Sequence, residues 1–143
     1  MIYLDSSAIV KLIRVEQESP ALRDWLNARS EPPVTSVLAD VEVPRALRRS
    51  APAHLTAMPV VLARISRIEL DASVRATAGA YVTDALRSLD AIHLATAEML
   101  IAGGRSVSAF VTYDKPQAAA VEAAGIRVEA PGRVRVGGVE DTW

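Results

Sequence analysis

Ala109-Phe110-Val111-Thr112-Tyr113-Asp114 is a short β-prone run that ends in an acid, and Ile2-Tyr3-Leu4-Asp5 at the start of the chain has the same form. In an open parallel α/β sheet the carboxyl ends of the strands face a shared crevice, so two such runs place Asp5 and Asp114 on one rim. Between them the chain alternates strand-like and helical patterns. The spacing predicts helices over 7–14 and 20–29, a short strand at Val34-Thr35, and a helix carrying Glu42 with Ser36 as its N-cap. A helical pair follows over 52–62, then a strand over 66–70 and helices over 71–81 and 86–102, the latter stopped by Gly103-Gly104. The strand at 106–112 is the strongest in the chain, and a helix over 115–124 and a strand over 126–129 complete the pattern before a tail containing Pro and Gly. This order predicts an α/β fold with a mainly parallel sheet and helices on both faces.

Bulk properties narrow the function. A length of 143 residues, half of them apolar, suits one domain spanning 1–143 with one well-buried core. The formal net charge of −1 leaves no global positive field, so an anionic partner must be held locally. Of the 16 basic residues only Lys11 and Lys115 are lysine; the arginine excess suits bidentate phosphate contacts and equally fits an Ala- and Val-rich composition. There is no cysteine, which excludes disulfides, thiolate metal sites and cysteine nucleophiles and fits a reducing compartment. A strand beginning at Ile2 leaves no room for a signal stretch, and no uncharged run reaches the roughly 18 residues of a membrane span. The expected location is the cytoplasm, away from membranes.

Two more acids lie in helical patterns, Glu42 in SVLADVEVPRALRR and Asp90 in SLDAIHLATAEMLIAG. Four carboxylates brought together without a counter-charge repel and raise one another's pKa, so the set is reasonable chiefly around a cation, with magnesium or manganese the natural candidates. Each acid also has an ordinary reading. Asp5 and Asp114 can cap the helices that follow them, Asp90 can cap its own helix, and Glu42 can be a solvated helix residue with Asp40 nearby. Asp90 is the hardest to dismiss, because its neighbours at helical spacing are Leu94, Ala97 and Ile101, and a carboxylate on such a stripe needs a partner. Ser6, Ser7 and Thr112 add hydroxyls to the rim, or simply serve turns. His93 and His54 read as structural, with His93 placed to orient a neighbour; Arg45, Arg48 and Arg49 read as a solvated face or as contacts to a phosphate chain.

With these residues assembled, the chain resembles the PIN-domain ribonucleases, and within them the VapC-type toxins of bacterial toxin–antitoxin pairs. The resemblance rests on IYLDSSAIVKLI (2–13), an acid in the helix after VTS, LRSLDAIHLATA (86–97) and VTYDKPQAAAVEAAGIRVEAPG (111–132), and covers nearly the whole chain. It implies a three-layer sandwich around a mainly parallel sheet of four to five strands. It also implies that Asp5, Glu42, Asp90 and Asp114 hold Mg2+ or Mn2+ for RNA cleavage, with Ser6 and Thr112 at polar positions that place water or phosphate. A homodimer, bound in turn by a cognate VapB-type antitoxin, is the implied assembly. Pro44, two residues after Glu42, departs from the pattern: it removes a helical hydrogen bond and bears on where Glu42 points.

The chemistry agrees, since phosphodiester hydrolysis needs an activated water and stabilised charge on the phosphate and leaving oxygen, both of which carboxylate-held divalent ions supply. A phosphatase of the haloacid-dehalogenase kind needs a second Asp where this chain has Ser7, and the G-x-S-x-G elbow of serine hydrolases is missing. The alternative from another class is a catalytically silent PIN-like module that binds RNA or protein.

Overall fold

The computed structural model describes residues 1–133; the end of the tail, 134–143, lies outside them. Five strands, β1 (Ile2–Leu4), β2 (Pro33–Ser36), β3 (Ser66–Ile68), β4 (Ala109–Val111) and β5 (Val128–Glu129), form one sheet in the order β3-β2-β1-β4-β5. Every pairing is parallel, with Tyr3 opposite Val34 on one side and Phe110 on the other. The helices are α1 (Ser6–Ile13), α2 (Ser19–Asn27), α3 (Ala39–Ser50), α4 (Met58–Leu62), α5 (Ala72–Ala80), α6 (Ser88–Ala102) and α7 (Lys115–Ala123), with a 3-10 helix at Pro52–Ala57. The fold is the α/β three-layer sandwich expected.

Alternation along β1 divides the core. Ile2 and Leu4 face Ile9, Ile13, Leu22, Val43 and Leu47 of α1 to α3, whereas Tyr3 faces Leu94, Ala97 and Val121 of α6 and α7. The central strands are buried on both faces, which explains why they read as continuous apolar runs. Tyr3 stacks on Phe110 with ring centroids 4.7 Å apart. The chain moves outward from β1 to β2 and β3, then returns to β4 on the opposite side of β1. The crevice beyond the carboxyl ends of β1 and β4 is therefore the switch point of the sheet, where such folds bind ligands.

The structure corrects some local expectations. Ser36 belongs to β2 and does not cap α3; its hydroxyl accepts the Leu38 N–H at 3.1 Å, and α3 begins at Ala39 with no side-chain cap. The expected strands over 106–112 and 126–129 shorten to three and two residues. Asp90 does not cap its helix: Arg87 occupies that position, and Asp90 is the third residue of α6. Pro44 removes one backbone donor, yet α3 runs on to Ser50 with Val43 and Leu47 fully buried, so packing holds the helix together.

Gly132 makes the turn that lays 130–133 against α2. Its φ is +82°, and a Cβ there would stand 2.9 Å from the Ala21 Cβ and 3.1 Å from the Glu18 Cα. Gly132→Ala is expected to cost roughly 1–3 kcal/mol from left-handed backbone strain plus overpacking, read as a lower urea midpoint with unchanged slope.

Candidate active site

Asp5 and Asp114 each follow a strand at the switch point, and each caps the helix behind it. Asp5 Oδ1 accepts the Ala8 N–H at 3.1 Å and Asp114 Oδ2 the Gln117 N–H at 3.1 Å. The cap reading and the rim reading are thus both satisfied. Asp5 is buried and further held by hydroxyls: Ser7 donates to its Oδ1 at 2.6 Å, and Thr112 donates to its Oδ2. Thr112 Oγ1 also accepts the Asp114 N–H at 3.1 Å, and Ser7 Oγ the Tyr113 N–H at 3.0 Å, so both hydroxyls stitch β1 to the segment after β4. Burial pushes the Asp5 carboxyl up; the nearby His93 ring and the three hydrogen bonds oppose this without cancelling it.

Glu42 comes in from α3 and meets Ser6 and His93. Ser6 Oγ donates to Glu42 Oε1 at 2.7 Å, and His93 Nε2 lies 2.7 Å from the same oxygen. The other ring nitrogen, Nδ1, lies 2.7 Å from the Tyr3 hydroxyl. Burial pushes the Tyr3 phenol far above its ordinary range, so it keeps its proton, and because the Glu42 carboxylate can only accept, the hydrogen between them sits on Nε2. Burial raises the Glu42 carboxyl too, but His93 and then Ser6 outweigh it, holding Glu42 below the usual carboxylate range. These bonds set its aim despite Pro44.

Asp90 and Asp114 share one cation. Arg87 Nε lies 3.4 Å from Asp90 and its Nη2 lies 3.7 Å from Asp114. Burial raises the Asp90 carboxyl, the charge of Asp114 raises it further, and Arg87 draws back only part of that. Gln117, buried at the start of α7, donates from Nε2 to the Asp90 carbonyl at 3.1 Å and so ties the two acid-bearing helices together.

The six predicted residues therefore stand as three linked groups: Asp5 with Thr112, Glu42 with Ser6, and Asp90 with Asp114. Among the described residues no three of Asp, Glu and His stand as a ready set of metal ligands. The donors are all hard oxygens, suited to magnesium or manganese, and the guanidinium between Asp90 and Asp114 marks where that pair takes a positive charge. By donor chemistry the residues fit a divalent ion.

His93 was legible as an orienting residue, whereas Arg87 and Gln117 were not singled out. The one available signal for Arg87 was its position three residues before Asp90, within ion-pair reach on a helix. His54 is exposed on the 3-10 helix, away from this network.

Residues 2–122 match the PIN domain family. The chain is 54% identical over 137 residues to Ribonuclease VapC35 of Mycobacterium tuberculosis, covering 94% of this chain and all of that one. It is 44% identical over 130 residues to Ribonuclease VapC46 of the same organism, covering 91% and 97%. Similar folds are found in M. tuberculosis VapC20, described as a sarcin-ricin loop cleaving toxin (TM-score 0.66, 16% identity, 84% and 95% covered), and in a toxin-antitoxin complex from Klebsiella pneumoniae (TM-score 0.64, 19% identity, 92% and 98% covered).

Proposed function

Because this chain belongs to the PIN-domain family, we propose that it is the ribonuclease toxin of a toxin–antitoxin pair. In this reading it hydrolyses RNA phosphodiester bonds with magnesium or manganese held by Asp5, Glu42, Asp90 and Asp114. The observation that carries the reading is the pair of acids, Asp5 and Asp114, that follow the two central strands at the switch point of the sheet, with a cation already shared by Asp114 and Asp90. High identity over nearly the whole length of two proteins named ribonucleases supports the same activity.

When bound, a divalent ion supplies the positive charge that acidifies a water and offsets charge growing on the phosphate. The chain's own residues do the rest. Thr112 and Ser7 hold the Asp5 carboxylate in one orientation, and Ser6 and His93 do so for Glu42. Arg87, mostly exposed, is close enough to leave its acids and meet a phosphate oxygen with its planar fork. The partner in this reading is a short antitoxin that covers the acids, the toxin itself pairing as a homodimer in the cytoplasm. No helix among the described residues is long and apolar enough to cross a membrane.

The separation of the acids into three groups is the observation on the side of a silent binding module. Incubating the purified protein with RNA distinguishes the two. Cleavage is expected with manganese or magnesium, none in EDTA, and recovery when manganese is restored. Equal cutting with and without EDTA would remove the metal from the mechanism, and no cutting in any condition would leave the binding module.

A further inference from the structure

Arg45 and Arg49 follow Glu42 on α3 by about one and two turns, and they line the same cleft of about 560 Å3 that Ser6, Ser7 and Glu42 border. Both are exposed, and among the described residues neither has an ion-pair or hydrogen-bond partner. Arg48, between them in sequence, does not line the cleft. The other cations on its wall are engaged. Lys11 Nζ lies 3.2 Å from Glu16, 3.0 Å from Glu18 and 4.9 Å from the centre of the Tyr113 ring, and Arg133 donates to the Tyr113 carbonyl.

Two uncommitted guanidiniums in the cleft that Glu42 borders are not explained by folding, since an exposed arginine on a helix contributes little to stability. Residues four apart on a helix lie about 5–6 Å from each other at Cβ and face the same way. Each guanidinium can grip a phosphate with two parallel N–H donors. A chain with a net charge of −1 attracts RNA through no overall field, so any grip on the strand has to be local, as it is here. The cleft is also lined by Val10, Val41, Leu89 and Tyr113, apolar surface that bases rather than phosphates can cover.

We propose that Arg45 and Arg49 form a phosphate subsite that seats single-stranded RNA on one side of the bond to be cut. This rests on the ribonuclease reading but is tested without cleavage, so the two can fail separately. The full chain, in EDTA and low salt, is titrated into a fluorescein-labelled unstructured 12-nucleotide RNA and binding is followed by anisotropy across a salt series.

Arg45→Ala combined with Arg49→Ala is expected to weaken binding about 10-fold or more and to flatten the slope of log affinity against log salt by about 1.4, or about 0.7 for each phosphate of the single strand that is no longer neutralised. Arg48→Ala, the control on the same helix, should match the unaltered chain, and all variants should melt alike. Absence of RNA binding by the unaltered chain, or a double variant with the same affinity and slope, would overturn the subsite. So would a double variant that keeps its grip on RNA but no longer retains a co-expressed antitoxin, because the two arginines would then serve a protein partner.

Discussion

Asp90→Asn is expected to lower metal-assisted RNA cleavage more than about 100-fold, beyond the 10–100-fold typical of residues that only support a ligand, yet to leave the metal-free protein as stable as before or more so. Asp90 is half-buried on an apolar helix, and burial first, then the charge of Asp114, raises its carboxyl. A carboxylate whose pKa is higher folded than unfolded binds its proton more tightly in the folded state. That contribution is fully present below the ordinary value of 3.8 and is lost as pH climbs through the raised one. At neutral pH the ionised Asp90 therefore opposes folding, and Asn removes that opposition while keeping the shape. In EDTA the melting temperatures of variant and parent should converge in acid and separate, variant higher, as pH rises.

Manganese should reverse the order. A ligand at 100 times its dissociation constant stabilises the parent by about 2.7 kcal/mol, whereas a variant missing one donor gains much less. Asp114→Asn should lose cleavage and the manganese response in the same way, its capping role surviving because Asn caps helices as well as Asp does. An Asp90→Asn protein with the parent's cleavage rate and manganese shift would take Asp90 out of the site.

The parts of the site that could be read in the chain are those carried by local pattern. Ile2 to Asp5 and Ala109 to Asp114 announce strands that end in acids, and parallel connectivity then brings both acids to one rim. The stripe around Asp90 marks a carboxylate in need of a partner, and the partner proves to be Arg87. What could not be read depends on contacts between residues far apart. Tyr3 counts as one more apolar strand residue until α6 brings His93 to its hydroxyl, 90 positions later. The Ser6–Glu42 bond joins α1 to α3, and Gln117 reaches from α7 to the Asp90 carbonyl. Ser36 looked like a cap because hydroxyls favour that position, but pairing with β3 extends β2 through it and moves the start of the helix. In each instance tertiary pairing outweighed local propensity.

His93→Ala is expected to reduce manganese affinity and cleavage about 10–100-fold, the range typical of residues that orient a metal ligand, and to destabilise the protein as well. The buried ring joins the Tyr3 hydroxyl to the Glu42 carboxylate. Its removal takes one partner from the buried Tyr3 hydroxyl and leaves Glu42 with the Ser6 bond, and it opens a hole in the core, at a combined cost of about 2–4 kcal/mol. Loss of stability alone would follow from any hole in the core, so the discriminating quantity is affinity for manganese, titrated well below the melting temperature. Gly132→Ala supplies the control: the added Cβ would press on Ala21 and Glu18 rather than on Glu42 or its hydrogen-bond partners, and its manganese affinity should equal the parent's.

His93→Gln tests the role more finely, because its amide nitrogen can stand near the position of Nε2 and donate to Glu42 while giving up the Tyr3 bond. It should recover much of the manganese affinity but less of the stability. Tyr3→Phe should do the reverse of a ligand mutation, weakening the fold more than the metal response, since the Nε2–H donor to Glu42 survives. If His93→Ala binds manganese as the parent does and loses only stability, the aim of Glu42 rests on Ser6 alone and the histidine is a packing residue.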